Sequence, residues 1–139
     1  MIQTFCGGSP ILAAGPDAQR LRVKVQARLA LGDTIAVSSI CDYEARRELL
    51  RRKATAQLSR LDQFIAVSTY LPLDTPTLHR AAQMWAIMPN QGMPTADDEN
   101  IDVDVILAAQ AVIVPSHQVA TTNVKHLSRL CKAIDWQSL

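Results

Sequence analysis

Short β-prone runs alternate along this chain with stretches whose apolar residues recur at helical spacing. That alternation points to strand–helix–strand units building a mainly parallel sheet covered on both faces. Ile2 to Cys6 read as the first strand, broken at once by Gly7-Gly8-Ser9-Pro10, after which a loop is expected. Thr34 to Val37, Tyr70 to Leu73, Gln118 to Thr122 and Ala133 to Trp136 are the further strands, the last at an edge. Between them, Leu21, Val25 and Leu29 give a helix capped by Asp17 after Pro16 and ending near Gly32. Ser38 or Ser39 caps a helix through CDYEARRELLRRK, with Ile40, Tyr43 and Leu50 facing inward. Leu58, Leu61, Phe64 and Ile65 mark another helix. Thr75-Pro76 open one that carries Leu78, Ala81, Ala82, Trp85 and Met88. Pro89 to Asn100 reads as a loop, IDVDVILAAQAV as a buried helix and Val124 to Leu130 as a last helical stretch. The expected fold class is therefore α/β, a four- to five-stranded, mainly parallel sheet flanked by helices in three layers.

The 139 residues suffice for one domain with a core, expected over 1–139, and are too few to suggest two. Fourteen basic against thirteen acidic side chains leave a net charge of +1, so no global field draws the chain to nucleic acid; any such binding comes from local patches. Cys6, Cys41 and Cys131 are odd in number and lack metal-ligand spacing, which reads as reduced thiols in a cytoplasm. The start has no basic n-region and no run approaches the ~20 residues of a membrane span, so secretion and membrane insertion are not expected. His79, His117 and His126 lack HExxH spacing and read as ordinary surface or capping residues; no GxSxG elbow or Walker loop is present.

In a parallel sheet, sites form outside the carboxyl ends of the strands. The oxygen-bearing side chains expected there are Glu44, in the helix after the second strand, Asp102 and Asp104 at the start of the buried helix, and Asn123 directly after the fourth strand. Asp104 shares its helical face with Leu107, Ala108 and Ala111, so its carboxylate should be partly desolvated and in need of compensation by a cation. Capping or an arginine partner is the competing account. Asp102 lies about 200° around the helix from Asp104, which makes it an N-cap or a group behind the first layer of ligands. Asp97, Asp98 and Glu99 add local negative charge and are expected to be solvated. Arg46, Arg47, Arg51, Arg52 and Lys53 form the one dense basic cluster, suited to phosphates. For Glu48, a surface ion pair with Arg52 is the simpler account. Two or three carboxylates from different segments are enough to place Mg²⁺, which keeps several waters and can activate one against a phosphodiester.

The pieces SSICDYEARREL, DVDVILAAQA and VATTNVKHLSRL, in that order, resemble the blocks of PIN-domain proteins, particularly VapC-type toxins of bacterial toxin–antitoxin pairs, over Thr34 to Trp136. The resemblance implies a PIN-like fold and a Mg²⁺- or Mn²⁺-dependent endoribonuclease. Glu44, Asp104 and Asn123 would be its catalytic residues, the same three with Asp102 its metal ligands, and Arg47, Arg51 and Thr122 its RNA contacts. It also implies RNA as substrate, with an antitoxin and a second copy as candidate partners. One element departs from the pattern. The family's first strand ends in an aspartate, whereas this chain reads Phe5-Cys6-Gly7-Gly8, so impaired activity is expected. The alternative is a catalytically inactive PIN-like module that binds nucleic acid or an antitoxin.

Overall fold

The structure, a computed structural model, describes residues 2–88 and 98–139. Five strands, β1 (Gln3–Cys6), β2 (Thr34–Ser38), β3 (Thr69–Leu71), β4 (His117–Thr121) and β5 (Ala133–Asp135), form one sheet in the order β3-β2-β1-β4-β5. All four pairings are parallel. Thr4, Phe5 and Cys6 of the central strand are fully buried, as a strand covered on both faces requires. Its one polar side chain there is satisfied: Gln118 Nε2, opposite Thr4 on β4, donates to Thr4 Oγ1 at 3.0 Å. The chain builds outward from β1 through β2 to β3, then crosses to β4 on the other side. The carboxyl ends of β1 and β4 therefore flank the point where the winding reverses.

The helices are α1 (Gly8–Ile11), α2 (Pro16–Ala30), α3 (Ser39–Arg51), α4 (Thr55–Ala66), α5 (Thr75–Ile87), α6 (Asp98–Val112) and α7 (Val124–Leu127), with a 3₁₀ turn over Trp136–Ser138. Where a loop is expected after β1, the chain forms the short α1, since Pro10 sits in a first turn whose amide hydrogens have no intrahelical acceptor to lose. In α2 the cap position is Gly15, whose φ of 58° suits glycine, and Asp17 lies inside the first turn, paired with Arg20 at 2.7 Å. Ser38 caps α3, accepting from Ile40 N at 3.4 Å. In α5 the cap is Asp74, which accepts from Thr77 N at 2.9 Å, one residue before the expected Thr75. The expected loop over 89–100 is helical from Asp98; the remainder of it lies outside the described residues. The last helix is shorter than expected, ending at Leu127.

Two expected faces hold only in part: Ile40 of α3 and Ala81 and Met88 of α5 pack inward as expected. Tyr43 and Leu50 of α3 are exposed, and the stripe that packs inward is Cys41, Ala45 and Leu49, small enough at two positions to bring the helix close to its neighbours. In α5 Leu78, Ala82 and Trp85 face outward, while Thr77 and Ala81 are buried against α6. Helix α6 is buried nearly all round through Val105, Leu107, Ala108, Ala109, Gln110 and Ala111, between the sheet and α5. Gln110 ties it to the end of β3, donating to the carbonyls of Leu71 and Pro72 at 3.2 Å each. Among the described residues no helix is long and apolar enough to cross a membrane.

Candidate nuclease site

Asp104 sits on the face of α6 that also carries Leu107, Ala108 and Ala111, all buried, so its carboxylate is only 18 % exposed. Burial pushes its pKa from 3.8 to about 6; the charge of Glu44 adds to the rise, and His126 and a hydrogen bond from Asn123 oppose it. The seventh residue of its helix, Asp104 is too deep to be a cap, and its partners are the amide of Asn123 (Nδ2 to Oδ2, 3.4 Å) and the ring of His126 (Nε2 to Oδ2, 3.7 Å) instead of an arginine. The second α6 acid, Asp102, stands in the second turn, which removes the expected N-cap role; its side chain lies outside what is described. Asp98 and Glu99 belong to the same helix, and Asp97 lies outside the described residues.

Glu44 projects half-buried from α3, which packs against α6, and it reaches the same crevice: its charge is felt by Asp104 and, together with that of Asp104, by the Cys41 thiol. Two segments about 60 residues apart in sequence thus place like charges in one partly desolvated pocket. Asn123 follows β4 directly. Its backbone amide is held by Thr121 Oγ1 at 3.0 Å, which turns the chain so that the side chain meets Asp104. Thr121 is buried and Thr122 exposed beside it.

The basic cluster on α3 is largely committed to acids. Arg46 binds Asp42 and Asp62 at 3.0 and 2.7 Å, while Glu48 takes Arg51 at 2.7 Å and Arg52 at 3.6 Å. The surface-pair account of Glu48 holds, and Arg51 is its main partner. The Arg47 guanidinium lies 5.3 Å from the ring centroid of the exposed Tyr43, one residue before Glu44.

Cys6 and Cys41 lie in the core, and Cys131 packs against it. Cys6 and Cys41 are fully buried, and burial raises both thiols, Cys6 to about 12; Cys131, near enough to feel Asp104, rises to about 11. All three are inert thiols at neutral pH. Gly7 directly follows β1, its amide donating to Ala120 O at 2.9 Å, and offers no carboxylate. Among the described residues no three His, Cys, Asp or Glu side chains stand together as a finished metal cage. Two carboxylates and an amide are donor types that a hard cation takes.

Sequence reading missed His126. Its ring is 14 % exposed and faces Asp104 because α7 begins immediately after Asn123 and brings the third residue back over the crevice; the N-x-x-H spacing was the available signal. The other assigned histidines are as read: His117 is tied to Val114 O through Nδ1 at 2.8 Å and His79 is on the surface.

Away from this crevice, a groove of about 370 Å³ lies between α1, α2 and α4, floored by Ile11, Leu21, Val25 and Phe64 and rimmed by Arg22 and Arg60. No family model and no curated sequence matches the chain. Solved structures do. A chain of VapBC2 from Rickettsia felis bound to a DNA fragment from their promoter aligns with a TM-score of 0.69 at 17 % identity over 98 % of this chain and 99 % of that one. A chain of DNA-bound VapBC from Salmonella typhimurium aligns at 0.71 and 17 % over the same shares. VapBC-1 from nontypeable Haemophilus influenzae gives 0.62 at 14 % identity, over 98 % of each chain. The expected PIN-like α/β fold is therefore the one this chain has, the fold of chains found in VapBC complexes.

Proposed function

We propose that this chain is a VapC-type toxin of a toxin–antitoxin pair, a divalent-metal-dependent endoribonuclease weakened by the lack of a first-strand carboxylate. The observation that carries the reading is that the charge of Glu44, on α3, reaches the largely buried carboxylate of Asp104 on the packed α6, which Asn123 meets directly after β4. Glu44 and Asp104 would hold the Mg²⁺ or Mn²⁺ ion, with Asn123 beside them and Asp102 as a further acid of the helix. Such an ion supplies a polarised phosphate and an activated water. The protein's own contribution is placement. Asn123 holds the Asp104 carboxylate, and Arg47, Arg51 and Thr122 would contact flanking phosphates. With two carboxylates the residues would hold Mg²⁺ only weakly, so Mg²⁺-dependent activity would need a high metal concentration.

Cleavage of single-stranded RNA is measured with millimolar Mg²⁺ or Mn²⁺ and with chelator; cutting only in the presence of metal is expected. Equal inactivity in all conditions against a range of RNAs defeats the nuclease reading and leaves the binding module. On the RNA contacts, replacing Arg47 and Arg51 together with alanine should weaken binding several-fold on every sequence and lower the salt slope by about 1–2. Filter binding at two salt concentrations checks this; unaltered affinity in the double variant contradicts it.

An antitoxin is the partner that the reading implies. The groove between α1, α2 and α4, apolar on its floor with two arginines at its rim, suits a segment carrying apolar and acidic side chains. A second copy is the other expected partner, for which the outward Leu78, Trp85 and Ile87 of α5 offer apolar surface.

A further inference from the structure

His126 is the one group in the crevice to which the nuclease reading gives no chemistry of its own. Its Nε2 is buried, receives and donates no hydrogen bond, and stands 3.7 Å from Asp104 Oδ2. A buried imidazole nitrogen left without a hydrogen bond is costly unless something occupies the space before it. Two atoms bound to one ion at about 2.1 Å each lie roughly 3.0 Å apart at a right angle and roughly 3.4 Å apart at a tetrahedral one. At 3.7 Å, the Nε2–Oδ2 pair is about 0.3 Å wider than tetrahedral spacing and about 0.7 Å wider than right-angle spacing, so a small approach of the two brings them to ligand distance. Glu44 has not been drawn in to finish a cage, but this half of one is already in place. An imidazole is a poor ligand for Mg²⁺, which demands oxygen, and a good one for Mn²⁺, Co²⁺ and Zn²⁺.

We propose that His126 is a nitrogen ligand of the Asp104 site, standing in for the carboxylate that β1 lacks, so that the site takes a borderline divalent ion in preference to Mg²⁺. The proposal rests on the crevice being a metal site, as the nuclease reading requires. It explains how a chain with Gly7 in the carboxylate slot keeps Glu44 and Asp104 together. The short α7 supplies the missing donor from the opposite wall.

The test needs no RNA. Mn²⁺ and Mg²⁺ are titrated calorimetrically into the wild-type protein, His126→Ala and His126→Gln, with circular dichroism confirming that each is folded. The visible spectrum of the Co²⁺-loaded proteins reports whether nitrogen binds. Mn²⁺ should bind the wild type at least tenfold more tightly than Mg²⁺, and both variants should lose roughly tenfold or more in Mn²⁺ affinity while Mg²⁺ changes by less than about threefold. The Co²⁺ band should move to longer wavelength in both. Equal affinities for the two ions, or unchanged Mn²⁺ affinity and Co²⁺ spectrum in the variants, overturns the proposal and makes His126 an ion-pair partner of Asp104. No metal binding by the wild type overturns it as well. Metal binding through His126 without RNA cleavage sinks the nuclease reading alone, and metal-dependent cleavage that ignores His126 sinks this proposal alone.

Discussion

Asp104→Asn should make the metal-free protein more stable at neutral pH, by about 2–3 kcal/mol, while abolishing metal-dependent cleavage. The sign follows from the direction of the pKa change. Burial and Glu44 raise the folded-state value from 3.8 to about 6. Below about pH 4 the carboxyl is protonated in folded and unfolded chains alike and costs nothing. Between pH 4 and 6 the unfolded chain has released a proton that the folded chain still holds, so stability falls as pH rises; above about 6 the penalty is complete, about 3 kcal/mol for a rise of this size. At 18 % exposure the group is too enclosed for solvent to remove much of that. Asparagine keeps the shape and an oxygen that can accept from Asn123, without the charge. The melting temperature of the variant should exceed that of the wild type by roughly 5–10 °C at pH 7.5, and the difference should vanish near pH 4. Mn²⁺ should close the gap from the other side, stabilising the wild type and leaving the variant unmoved. A variant less stable than the wild type at pH 7.5 in chelator would show that Asp104 is a satisfied structural residue.

That penalty is the physical content of what the sequence revealed about the site. Asp104 followed at three, four and seven residues by Leu107, Ala108 and Ala111 declared a carboxylate on an apolar face, and the structure buries it accordingly. Glu44 was placed by its helix following the second strand, and Asn123 by its position after the fourth. Strand-to-helix alternation gave the parallel sheet, down to β5 as an edge. What escaped was decided by tertiary neighbours. Tyr43 and Leu50 are apolar enough to be inward residues, yet the space under α3 admits Cys41, Ala45 and Leu49. The same competition turned Leu78 and Trp85 outward on α5, where Thr77 and Ala81 pack against α6. His126 was read as an ordinary histidine because its significance depends on α7 folding back over Asp104, a contact 22 residues apart in sequence and 3.7 Å in space. That Arg51 is the main partner of Glu48 was likewise open, because this pairing competes with an equally plausible pairing of Glu48 with Arg52, and only the rotamers decide.

Gly7→Asp should raise the affinity for Mg²⁺ by tenfold or more and increase RNA cleavage, at a cost to the metal-free protein. Gly7 directly follows β1, and its backbone lies outside the left-handed region, so an aspartate can adopt its conformation. A Cβ there would meet Ala120 O at 3.3 Å and the Cβ and Oγ1 of Thr121 at 3.7 Å. The first contact is tight and against backbone, which must yield a few tenths of an ångström, costing about 1 kcal/mol. The Cβ direction is the useful part. It points toward the end of β4, from which Thr121 and Asn123 lead to Asp104. A third carboxylate on that wall adds repulsion to Glu44 and Asp104 when no cation is bound, so the melting temperature in chelator should fall. In metal the same charge is an additional oxygen ligand, so the rise on adding Mg²⁺ should be larger than in the wild type. Mg²⁺ should gain more than Mn²⁺, because the new ligand is oxygen and the wild-type preference comes from nitrogen. Calorimetric titration of both ions together with an RNA cleavage assay decides the matter. Unchanged affinity for both ions would mean that the carboxylate slot of β1 does not face the site formed by Glu44, Asp104 and His126, and the weakened-nuclease reading would lose its explanation.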